Sequence, residues 1–99
     1  MSTLVIIGSA KAKRGKADAL RPILKSLLLP TLAEEGCLRY EMNESEDKQS
    51  WIFTELWESR VLWDRHMNSP QVMRFKEVVP DMAEYWDLFI GHMVRPGTS

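Results

Sequence analysis

The chain opens with an apolar run, Leu4 to Ile7, after which residues 8–13 alternate small with polar side chains, as a strand does on leaving a core. Gly15 marks a turn. Leu20, Ile23, Leu24, Leu27, Leu28 and Leu32 then recur at three- and four-residue spacing, which predicts one apolar helix face. Asp18 suits its N-cap, Pro22 is tolerable in its first turns, Pro30 should kink or end it, and Gly36 stops it. Leu38, Tyr40 and Met42 alternate with Arg39, Glu41 and Asn43, the pattern of a half-buried strand. The polar residues 45–49 predict a hairpin loop. On the strand that follows, Trp51, Phe53, Glu55 and Trp57 share one face, and Ile52, Thr54 and Leu56 the other.

Ser59 is placed to cap a helix over about residues 60–68, and Ser69-Pro70 restarts it. Val72, Met73, Phe75, Val78 and Val79 carry the apolar spacing up to Pro80. The last segment, residues 85–94, alternates Trp86, Leu88, Ile90, His92 and Val94 against Tyr85, Asp87, Phe89, Gly91 and Met93, so both of its faces carry apolar groups. The order is β-α-β-β-α-β. It predicts the α+β, ferredoxin-like split arrangement, an antiparallel sheet with its helices on one face. Strands that are apolar on both sides need cover on the second face as well. A homodimer, in which two sheets close on each other as a dimeric α+β barrel, would supply it.

Length sharpens that inference. Ninety-nine residues, 44% hydrophobic and 27% charged, suit a single domain, with its core over residues 4–94 and a loose tail at 95–99. So small a core holds a roomy pocket at a cost unless a second subunit adds surface. The net charge of −1 offers no field to draw the protein onto nucleic acid or anionic lipid, so neither is an expected partner. The basic run Lys11, Lys13, Arg14 and Lys16 has no interleaved aromatics and is taken as a solvated turn before a helix rather than a phosphate patch. Cys37 stands alone, which excludes an intrachain disulfide and a cysteine metal cluster. With no basic leader and no apolar run long enough for a membrane span, a cytoplasmic location is expected.

Three segments together narrow the field. EEGCLRYEM after a helix, FTELWES on the third strand and LWDRHMNSP on the second helix resemble the antibiotic biosynthesis monooxygenase domain family, over roughly residues 4–94. The resemblance implies a dimeric α+β barrel. It also implies a range of activities: cofactor-independent oxidation of quinols or anthrones, haem degradation, or isomerisation of a phosphorylated sugar. In the haem-degrading relatives the iron ligand falls where RFKE stands here, so haem is not expected.

Oxidation without a cofactor has definite requirements. Triplet oxygen reacts with closed-shell molecules only when they give up an electron readily, as a phenolate or carbanion does. The protein must take a proton, hold the anion and exclude water. His66 is the candidate base, since its ordinary pKa lies near neutrality, and helical spacing puts it on a face with Leu62 and Met73. Trp57 is placed to floor a pocket or donate its indole N–H, and Tyr40 to donate to a bound anion in preference to Asn43 on the opposite face. Phe53, Glu55, Leu62 and Met73 complete the expected substrate-lining set; Glu55 should pair with Arg39 across the hairpin or else have a raised pKa as a second acid/base. Trp63 is expected to pack, and His92 to make a structural contact. Two histidines and one cysteine provide no metal-ligand spacing, and GxSxG and phosphate loops are absent. The expected function is thus a monooxygenase of a quinol, phenolic or polycyclic aromatic substrate, using O2 and neither metal nor flavin. The alternatives are a proton-transfer isomerase and a non-catalytic ligand-binding or stress-response dimer.

Overall fold

The computed structural model describes residues 3–97. Its elements are β1 (Leu4–Ala12), α1 (Ala17–Lys25), α2 (Leu28–Leu32), β2 (Cys37–Glu44), β3 (Ser50–Trp57), α3 (Arg60–Met67), α4 (Pro70–Met82) and β4 (Ala83–Gly91). The sheet order is β2-β3-β1-β4 and every neighbouring pair is antiparallel, which is the α+β ferredoxin-like arrangement. One sheet face lies under the helices and holds the core: Leu4, Ile6 and Ala10 from β1, Tyr40 from β2, and Trp51, Phe53, Glu55 and Trp57 from β3. In β4, Trp86 lies beside Gly8, whose missing side chain makes room for the indole: a Cβ there would sit 3.2 Å from Trp86 Cη2.

Local chemistry shifts several boundaries from those the sequence predicts. Asp18 is not the N-cap of α1. Lys16 holds that position without a side-chain bond, and Asp18 sits in the first turn, where a negative charge suits the helix dipole and reaches Arg21 at 2.9 Å. The single helix expected up to Gly36 breaks after Lys25, and Ser26 Oγ donates to the Ile23 carbonyl at 2.6 Å. Pro30 explains the break, because its ring would collide with the carbonyl four residues earlier, at Ser26. Pro80, by contrast, does not end α4, which runs on to Met82. The last strand starts at Ala83 and stops at Gly91, short of Val94; His92 follows it and its Nδ1 meets the Thr3 carbonyl at 2.8 Å. Of the expected tail, Thr98 and Ser99 lie outside the described residues.

The second sheet face carries Val5, Ile7 and Leu56, each half-buried, with Ile52, Tyr85 and Phe89 more exposed around them. Cross-strand pairing places Val5 beside Leu56, and Ile7 between Thr54 and Phe89. It is an apolar surface with nothing laid over it among the described residues.

Candidate active site

The site begins with a helix cap. Ser59 has extended backbone, and its Oγ accepts from the Leu62 N–H at 3.3 Å, which fixes where α3 leaves the sheet. From that start, Trp63 and His66 are the buried residues of α3. Trp63 packs under Arg60, whose guanidinium lies 5.1 Å from its ring. His66 projects over the helix-covered sheet face and is only 2% exposed.

A carboxylate from outside α3 holds the imidazole. Glu34, in the link between α2 and β2, brings its two oxygens to 3.0 and 3.2 Å from His66 Nδ1. Gln71 steadies that carboxylate, its Nε2 donating to Glu34 Oε1 at 2.6 Å and to Thr31 Oγ1 at 3.3 Å. A carboxylate only accepts, so the imidazole proton sits on Nδ1 and Nε2 carries the lone pair. Burial lowers the His66 pKa from its ordinary value, against the opposing pull of the Glu34 hydrogen bond and charge, so the ring is neutral near pH 7. The Trp57 indole lies beside this imidazole at 4.7 Å between centroids and 33° between planes. The Tyr40 ring meets it edge-on at 5.6 Å and 67°. Burial holds the Tyr40 phenol above the ordinary range, so it remains a neutral donor.

Glu55 is the second titratable group here. The register pairs Tyr40 with Glu55 and Arg39 with Leu56, so Arg39 points to the opposite face and the pairing expected with Glu55 does not form. Instead Trp57 Nε1 donates to Glu55 Oε1 at 2.9 Å. Among the described residues no cation pairs with this carboxyl. Burial is the main cause that pushes its pKa up to about 7; the Glu34 charge adds to the shift, and the indole bond opposes it.

Glu55, His66 and Tyr40 line one cavity, closed by Leu27, Val72, Phe75, Trp86 and Leu88, with Met67 and Lys76 also in its wall. Its volume is about 20 Å³, room for about one water molecule. The Lys76 ammonium donates to the Met67 carbonyl at 3.2 Å, tying α4 to the end of α3 across this wall.

The other expected site residues fall elsewhere. Trp57 and Phe53 lie behind the cavity, with the Phe53 ring 5.5 Å from Tyr40. Leu62 packs against the Gly36 turn, where φ is +85° and a Cβ would come within 2.8 Å of Leu62 Cβ. Met73 is 47% exposed. Its seven-residue spacing from His66 assumes an unbroken helix, and the chain breaks between α3 and α4. Asn43, on the outward face, donates to the Ile52 carbonyl at 3.2 Å. Glu34 is the residue that pattern reasoning passed over. It stands in the EEG segment that reads as a helix end, and its one sequence signal is the three-residue step from Thr31 on the buried side of α2. Among the described residues, no group of three or more His, Cys, Asp or Glu converges as metal ligands, and no helix is long and apolar enough to cross a membrane.

Comparison with known proteins places the chain in a family. The chain is 30% identical over 81 residues, 82% of its own length and 80% of the relative's, to Rv0793 of Mycobacterium tuberculosis, a protein named provisionally as a monooxygenase. Among solved structures, PA3566 from Pseudomonas aeruginosa superposes with a TM-score of 0.91 at 25% identity, covering 96% of this chain and 97% of that one. SO0527 from Shewanella oneidensis gives 0.87 at 31% identity, covering 93% and 91%. The family profile described as antibiotic biosynthesis monooxygenase matches residues 3–78, and the chain belongs to that family.

Proposed function

We propose that this member of the antibiotic biosynthesis monooxygenase family oxidises a quinol, phenolic or polycyclic aromatic substrate with O2 and without metal or flavin, His66 acting as the base. One observation carries the proposal: a buried imidazole, held through Nδ1 by Glu34, lines an otherwise largely apolar and aromatic cavity. Proton transfer to Nε2 creates an imidazolium, and the Glu34 carboxylate, already in place, stabilises that charge as it forms. Tyr40 supplies a phenolic donor to the oxygen that becomes anionic. The indole of Trp57 walls the imidazole on one side and keeps bulk water from it. For an anthrone-type substrate the overall change is one CH2 and one O2 giving one C=O and one water. The electrons come from the substrate carbon, so the protein supplies only proton transfer, orientation and dryness.

A cavity of about 20 Å³ is far smaller than the few hundred cubic ångströms a drug-sized ligand fills, so substrate entry requires the wall to open. The segment tied by Lys76 to Met67 is the wall we assign to that movement. The uncovered face around Val5, Ile7 and Leu56 supports a homodimer whose sheets close on each other. The test is isotopic. Metal-stripped protein given 1,8-dihydroxyanthrone under labelled O2 should yield a product carrying one labelled oxygen atom. Turnover that proceeds equally well under argon, or product without label, would reject oxygenation and favour the isomerase alternative.

A further inference from the structure

We infer that Glu55 is a second catalytic residue of this cavity, the acid that works opposite the His66 base and hands its proton to the oxygen that becomes charged during the reaction. This rests on the oxygenation proposed above. The geometry behind it has three parts. The Glu55 carboxyl is 5% exposed and lines the same cavity as His66. Its Oε1 is held by the Trp57 indole N–H at 2.9 Å, which fixes its direction and leaves Oε2 to carry a proton. Among the described residues it has no cationic partner, so it is not held as a structural ion pair.

The charged and titratable groups around it come from β2, the α2–β2 link, α3 and α4, while β1 and β4 present apolar Ile6, Trp86 and Leu88. Tyr40 and Cys37 lie on β2, Glu34 on the α2–β2 link, His66 on α3 and Lys76 on α4. The near carboxylate, Glu34, is already engaged by His66 and Gln71, so it is the less available of the two acids for proton delivery. Burial that raises the Glu55 pKa to about 7 keeps a large share of it protonated where the enzyme works.

The step balances as follows. His66 Nε2 takes one C–H proton, and the resulting carbanion passes an electron to O2. The radical pair joins as a C–O bond, giving a peroxide anion. Glu55 protonates its outer oxygen. The Glu55 carboxylate then removes the second C–H proton as the O–O bond breaks, forming the carbonyl and hydroxide. The proton on His66 converts that hydroxide to water, and both side chains return to their starting states.

Glu55→Gln keeps the acceptor for the Trp57 indole and removes the transferable proton, so it serves as the test. Two measurements on wild type and variant decide it. The first, infrared difference titration, needs no substrate: the wild type should show a protonated-carboxyl band that fades as pH rises through about 7 and is missing from Glu55→Gln. In the second, oxygen uptake with 1,8-dihydroxyanthrone, the wild type should lose activity above that pH. The variant should have lost this alkaline limb, with kcat lower by about a hundredfold or more and KM little changed. A wild type without the band, or a variant that keeps kcat and the alkaline limb, would overturn the assignment. A wild type with the band but no oxygen uptake retains Glu55 as the buried acid and rejects the oxygenation instead.

Discussion

Replacing Glu55 with glutamine should make the folded protein more stable, and only above a defined pH. The magnitude follows from the carboxyl's surroundings. Glu55 is 5% exposed and without a cation among the described residues, and its pKa rises from the ordinary 4.5 to about 7. Because the folded value is the higher one, the folded state binds more protons than the unfolded chain between those two pH values. The contribution is therefore fully present below 4.5, declines as pH rises, and is gone above about 7. An interval of that size corresponds to about 3 kcal/mol. Glutamine has no charge to bury, so the difference between variant and wild type should be flat at low pH and grow by about 3 kcal/mol towards pH 8. Comparing the two proteins cancels the titrations of surface acids such as Glu44 and Asp47. Urea unfolding of both proteins at several pH values measures it, with the midpoint and slope fitted separately. A stability difference that does not change with pH would show that Glu55 is not held as a buried acid, and the electrostatic account of the cavity would fail with it.

Three other perturbations probe separate parts of the account. Glu34→Gln leaves a neutral acceptor opposite His66, removing a charge-assisted bond worth about 1.5–3 kcal/mol, so kcat should fall about ten- to a hundredfold with KM nearly unchanged. Glu34 raises the His66 pKa and a base works above its own pKa, so the acid limb of the pH profile should move to lower pH; an upward shift would contradict the dyad. Gly36→Ala places a Cβ at φ +85° and against Leu62, and should destabilise the fold by about 2–4 kcal/mol in thermal or denaturant unfolding; a neutral result would mean the turn relaxes freely. Ile7→Lys puts a charge in the uncovered sheet face and should convert a dimer to a monomer by light scattering, while an unchanged dimer would place the interface elsewhere.

How much of this was legible in the sequence depends on which interactions are local. Alternation in β3 marked Trp51, Phe53, Glu55 and Trp57 as one face, and that face does lie under the helices. The Ser59 cap was equally readable, because a cap acts over three residues. His66 could be placed inward from its own helix. Met73 could not, since its position depends on whether α3 and α4 form one helix, and Ser69-Pro70 starts a new one. Glu34 meets His66 and Gln71 across 32 and 37 residues of sequence, and no periodicity reports a contact made at that range. The partner of Glu55 was decided by strand register. The unbroken register from Arg39 to Glu44 sets Tyr40 opposite Glu55 and Arg39 opposite Leu56, on the other face.

The central claim is that His66, held by Glu34, removes a proton from an electron-rich aromatic substrate so that O2 can react with it directly. Oxygen uptake by metal-stripped wild type and His66→Ala, with 1,8-dihydroxyanthrone at saturating concentration, tests it most directly. The account predicts consumption by the wild type and a fall in kcat of about a hundredfold or more in the variant, with the fold intact by circular dichroism. Equal rates in the two proteins would contradict it.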